Sequence, residues 1–254
     1  MLKLMKYEFR RNRTGLLVML IIALALFALA PLGQLLNRQG MVLASVALLA
    51  FYCVAAYIFV LLRGVTAYSS ELKGRTGYLL LMIPRSTYAI LFSKLLFALF
   101  FALVMTAIAA LLFFAALGVM MSEVYEVRNI VDLFRFMLRS AGLNPTEMLN
   151  VLGAGIAVLL CSVFTAVSAG YLAVTLGATL LQGSRMRGFV SFVLYVALLS
   201  LIAHLAGLAS PALADAETLG TALLADLPVM ALNLLLGACC TVLSALLLKR
   251  KVCL

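Results

Sequence analysis

Six uncharged apolar runs, each about as long as a bilayer is thick, constrain this chain more than any other feature. They cover residues 16–36, 41–62, 95–121, 151–181, 189–208 and 228–248. A helix needs about 20 consecutive apolar residues to cross the ~30 Å hydrocarbon core. In lipid each backbone polar group must be satisfied within its own segment, so an isolated apolar run crosses as a helix. The fourth run is the longest and would reach roughly 46 Å as a helix, so it must tilt or protrude. Composition agrees: 66% of the 254 residues are hydrophobic and 11% are charged, an excess no single soluble core could hide. The expected fold class is an all-α integral membrane protein with six transmembrane helices, organised as one membrane domain over residues 1–254.

Lysine and arginine then orient the spans. Five precede the first span (Lys3, Lys6, Arg10, Arg11, Arg13) and five lie between the second and third (Arg63, Lys73, Arg75, Arg85, Lys94). Arg185 and Arg187 lie between the fourth and fifth, and Lys249, Arg250 and Lys251 follow the sixth. These alternate segments share one side and hold fifteen basic residues. The other side holds four: Arg38, Arg128, Arg135 and Arg139. Basic residues are retained on the cytoplasmic side, so both termini and segment 63–94 are expected there, in a multi-pass protein of the cell membrane. The formal charge of +10 is explained by this sorting and does not argue for nucleic acid.

The ends of the spans carry their own signals. In 1–13, Met1, Leu2, Met5 and Phe9 form an apolar stripe and Lys3, Lys6, Arg10 and Arg13 a basic one, the pattern of an interfacial helix. This basic start, an apolar run and Ala28–Leu29–Ala30 mimic a signal peptide. The run exceeds a signal core and five spans follow it, so it is read as the first span. In the external segment 122–150, Ile130, Leu133, Phe134, Met137 and Leu138 recur at helical spacing opposite Arg128, Asp132, Arg135 and Arg139. This predicts an amphipathic helix on the outer leaflet, as a solvated linker or a lid. Asn144, Pro145 and Glu147 then have the spacing of a helix N-terminus. Ser162, Ala166 and Gly170 recur every fourth residue in the fourth span, a small-residue face along which helices approach closely.

Several functions are disfavoured. No Asp, Glu, Lys or Arg falls at mid-membrane, which argues against a proton-driven carrier. Gln34, His204 and Asn233 are the notable polar residues in the spans, each near an end, and an ordinary hydrogen bond accounts for the single histidine better than a ligand or pH-sensing role. There is no Walker lysine loop, no H-E-x-x-H and no G-x-S-x-G, so no catalytic residue is assigned and the chain is not expected to be an enzyme by itself. The five cysteines lie in apolar runs or at the C-terminus, without metal-ligand spacing, so neither a metal site nor a disulfide framework is expected.

The least membrane-like segment is "SSELKGRTGYLLLMIPRSTYAILFSK", 69–94. Ser70 can cap a short turn through Glu71, opening a short helix before the proline, and Gly74 and Gly77 permit bends. Tyr78-Leu79-Leu80-Leu81-Met82-Ile83 is too short to span and must bury against the inner leaflet or a soluble partner. Pro84 breaks the chain, and Ser86 or Thr87 caps a helix running through Lys94 into the third span.

Glu71, Gly74, Leu79-Leu80, Pro84, Ile90-Leu91 and Ser93-Lys94 together resemble the pattern between the second and third spans of ABC-type-2 (ABC-2) exporter permeases. Gly77-Tyr78, where many members are more polar, and the long third loop depart from that family. The resemblance implies a permease subunit whose 63–94 segment is a cytoplasmic coupling element, docking on a separate ABC ATPase that binds ATP and Mg. Ser70, Glu71, Leu72, Gly74, Arg75, Tyr78, Leu79, Leu80 and Leu81 are then the expected ATPase contacts, and Pro84 and Lys94 the transmitting residues. It also implies a second permease subunit, identical or related, and a connecting helix over 1–13. A non-transporting membrane scaffold and an ion-driven carrier are the alternatives. The residues do not single out a substrate.

Overall fold

The computed structural model describes residues 2–73, 87–125, 145–180, 186–209 and 219–252. They form six helices: α1 (Leu2–Leu35), α2 (Gln39–Lys73), α3 (Thr87–Tyr125), α4 (Pro145–Leu180), α5 (Arg187–Ala209) and α6 (Leu219–Val252). Each contains a stretch long and apolar enough to cross a membrane, so the protein is an all-α, multi-pass membrane protein.

The helix limits extend the expected spans. The basic N-terminal stretch is continuous with the first span in α1, with no break between a connecting helix and the membrane segment. No proline interrupts 2–30, so nothing stops the helix from propagating. The short helix expected to be capped by Ser70 does not begin there. α2 runs on through Ser70, Glu71 and Leu72 to Lys73, and the Ser70 hydroxyl donates back to the Ala67 carbonyl at 3.0 Å. A serine bonded to its own helix in this way continues the helix instead of capping a new one. α3 is described from Thr87 and α4 from Pro145, and Ser86 and Asn144, which carry cap signals, lie outside the described residues. α6 starts well before Pro228, which lies inside the helix and removes one backbone donor near the end of the membrane stretch. The predicted helix within 122–150 has its patterned residues outside the described residues.

α1 and α2 form a hairpin closed by a Schellman turn. Asn37 adopts φ 49°, the Arg38 amide donates to the Gly33 carbonyl at 2.9 Å, and the Asn37 amide donates to the Gln34 carbonyl at 3.1 Å. Asparagine tolerates the left-handed backbone this stop requires. A Cβ on Gly33 would sit 3.0 Å from Met41 and Val42 atoms, so glycine lets the two helices meet at the turn.

The chain divides into two compact units. One contains 6–60 and 101–150, so its described part is α1 from Lys6, the first part of α2, the second part of α3 and the first residues of α4, 145–150. It is held by small buried residues such as Ala23, Ala30 and Ala56, by the Tyr52 hydroxyl donating to the Met19 carbonyl at 3.0 Å, and by the Phe59 and Phe101 rings, 6.4 Å apart. The other contains 1–5, 61–100 and 151–254 and is centred on α4.

Candidate functional site

The α4 unit is built around a helix of small and hydroxyl-bearing residues. From Thr165 to Thr175 every residue of α4 is buried. Lipid is as apolar as leucine, so helices here associate by close packing and hydrogen bonds, not by hiding oil from water. Three glycines make that packing possible. A Cβ on Gly170 would collide with the Val65 side chain of α2, and one on Gly237 of α6 would lie 2.6 Å from Phe164 Cδ1. At Gly64 of α2 the nearest atom would be Val167 Cγ2 of α4, at 3.3 Å. The Tyr68 and Tyr171 rings tilt together at 4.6 Å, adding a second α2–α4 contact.

Hydrogen bonding supplements this packing. The Thr165 hydroxyl lies 2.8 Å from the Cys161 carbonyl of its own helix and 2.9 Å from the Asn233 carbonyl of α6. It can donate to one of these at a time. Ser168 and Thr175 donate to Phe164 and Leu172 carbonyls, so these buried hydroxyls are satisfied within α4.

Of the residues expected to pack helices, Ala166 and Gly170 are buried and Ser162 is half-buried, its hydroxyl donating to the Leu159 carbonyl. Of the expected ATPase contacts, Ser70, Glu71 and Leu72 occupy the last turns of α2, and Ser70 is exposed. Gly74, Arg75, Tyr78, Leu79, Leu80, Leu81 and Pro84 lie outside the described residues. Lys94 is 7% exposed and neighbouring Ser93 5%, and both are engaged with other groups. Lys94 is the one buried charged side chain among the described residues. Burying a charge costs several kcal/mol unless it is paired, so its seat in α3 must be specific.

Two hollows flank α4. One, of about 200 Å³, lies between α2, α4 and α5 and is lined in part by Leu62, Thr66, Ser69, Ser191 and Phe192. The other, of about 420 Å³, lies between α3, α4 and α6 and is lined by apolar side chains together with Tyr88 and Thr241. The Thr241 hydroxyl is turned back to the Ala238 carbonyl at 2.8 Å.

His204 is exposed on α5, and Gln34 and Asn233 are half-buried. Cys53, Cys161, Cys239 and Cys240 are free thiols, and no group of three potential metal ligands occurs among the described residues. Gly64, Gly237 and Thr165 went unread in the sequence because single residues carry no periodic signal. The hollow beside α5 did leave one: Leu62, Thr66 and Ser69 on α2, and Gly188, Ser191, Phe192 and Tyr195 on α5, each fall on one helical face. Comparison with protein-family models, curated proteins and solved structures found no match.

Proposed function

We propose that this chain is the membrane-spanning permease subunit of an ATP-driven exporter of the ABC-2 kind, working with a separate ATPase and a second permease copy. The observation that carries this reading is the burial of Ser93-Lys94, where the coupling pattern enters α3. A lever needs one end outside the bilayer and the other gripped by the membrane helices. Lys94 meets the second requirement, and segment 74–86, which joins α2 to α3, is the piece assigned to the first. The fifteen-to-four split of basic residues supports placing that segment and both termini in the cytoplasm of a cell-membrane protein.

In this mechanism ATP and Mg act in the partner, closing two ATPase subunits together. The cytoplasmic end of α2 at Glu71 and the segment onward to Leu81 follow the ATPase together. Pro84 and the N-terminal turns of α3 carry the displacement to Lys94 and so to α4, the centre of its unit. Transport follows only if the two access states hold the ATPase with different free energies.

The test is co-purification of the chain with a stand-alone ATPase expressed beside it, followed by export assays. Leu80→Asp and Gly74→Pro are expected to abolish ATP-coupled export while leaving membrane insertion intact. Normal export by these variants would overturn the coupling role. Failure to retain any ATPase would favour a scaffold without a transport path, and transport without ATP would favour an ion-driven carrier.

A further inference from the structure

Only one side of α1 is packed. Asn12, Gly15, Ala23 and Ala30 are buried, and their helical spacing sets them along one side of the helix. Glu8, the single acid of α1, precedes Asn12 by four residues and belongs to that side by register.

The opposite side is basic first and apolar afterwards. Lys6, Arg10 and Arg13 recur at steps of four and three, and Leu17, Ile21 and Leu24 continue the same stripe. Arg10 and Arg13 are exposed, and Leu17, Ile21 and Leu24 are 54%, 62% and 47% exposed. Charge stops at Arg13, one residue into the membrane stretch that opens at Asn12, and no charged residue follows on α1. The helix is unbroken from Leu2 to Leu35, so head-like and oil-like surfaces are held in line on one rod. From Arg13 to Leu24 that rod runs about 16 Å, close to one leaflet of a ~30 Å hydrocarbon core.

We infer that this stripe of α1 binds an anionic phospholipid, its head against Arg10 and Arg13 and an acyl chain along Leu17, Ile21 and Leu24. Basic residues beside a membrane span attract anionic lipid, and the arginine fork matches a phosphate. A soluble polyanion would pair with the arginines and leave the leucine and isoleucine surface uncovered. A zwitterionic lipid would cover that surface and bring no net charge to the arginines. The site goes beyond the permease reading and needs neither an ATPase nor a second copy.

The chain contains no tryptophan, so one introduced residue reports the lipid beside it. The test uses the full chain carrying Leu17→Trp in phosphatidylcholine nanodiscs with added phosphatidylglycerol, one lipid at a time bearing brominated acyl chains that quench the fluorescence. Leu201→Trp on α5, at a position 55% exposed in a stretch without basic residues, is the control. At position 17 phosphatidylglycerol is expected to quench about fivefold more effectively than phosphatidylcholine, the worth of roughly one basic contact, and at position 201 equally. Arg10→Gln with Arg13→Gln is expected to bring position 17 to the level of position 201, whereas Arg10→Lys with Arg13→Lys keeps the preference. Arg10→Gln alone replaces the double variant if that does not insert, and is expected to lower the preference about twofold. Ile21→Trp is the second reporter if Leu17→Trp does not fold. Equal preference at 17 and 201, a preference surviving in an inserted glutamine variant, or loss of the preference to soluble glycerol phosphate at matched ionic strength would each overturn the assignment.

Discussion

α4 and α5 belong to one unit and are both apolar enough to cross a bilayer, yet they sit in opposite environments. In the most apolar 18 residues of the α4 membrane stretch 61% are buried, against none in the corresponding part of α5. Hydrophobicity therefore does not decide which helix is central in this protein. α4 is rich in Gly, Ala, Ser and Thr between Ser162 and Thr175, whereas α5 presents Phe189, Phe192, Val193, Val196 and Leu201 outward. Small residues bring helix axes close enough for dispersion and hydrogen bonds, and large aliphatic ones are equally content against lipid.

The sharpest way to break this comparison is to place the same side chain on both helices. Gly170→Leu forces a side chain into Val65 of α2 and is expected to cost about 3 kcal/mol or to prevent folding. Gly207→Leu on α5 meets nothing within 4 Å and is expected to be neutral or slightly stabilising. Unfolding midpoints in detergent micelles measure both, and equal losses would show that α4 is not the packing centre.

A smaller effect is expected for Thr165→Val, which removes the hydroxyl facing the Asn233 carbonyl. The loss should be about 1 kcal/mol, the usual scale of an interhelical hydrogen bond in a membrane protein. Thr241→Val, whose hydroxyl bonds only within α6 at 2.8 Å, is the control and should change the midpoint less. The smallest effect belongs to Leu201→Ala on α5. This residue is 55% exposed, and the change should stay within about 0.5 kcal/mol in the same assay.

Much of the architecture was legible because hydrocarbon thickness is a physical ruler. The six runs reappear in α1 to α6, with Leu36 just past the end of α1 and Leu181 outside the described residues. Ser70 misled because a serine hydroxyl can cap a new helix or bond back to its own, and the residues alone do not choose. Asn37 was unread as a left-handed stop because nothing local separates it from any other polar loop residue. The Ser162, Ala166 and Gly170 spacing pointed to close approach, but not to α2 as what meets Gly170. The hollow beside α5 needed two helices distant in sequence to bring Ser69 and Ser191 into one lining.

The sequence by itself determined that this protein lives in a membrane, how many times its helices can cross, and where basic residues alternate along the chain. These follow from local transfer energies, which each segment carries wherever it sits. Only the tertiary structure decided that α4 is central, that Lys94 is buried, and that a hollow lies between α2, α4 and α5. Those are properties of pairs of helices, set by steric fit and hydrogen bonding between residues far apart in the chain, and in lipid hydrophobicity gives no advance signal of either.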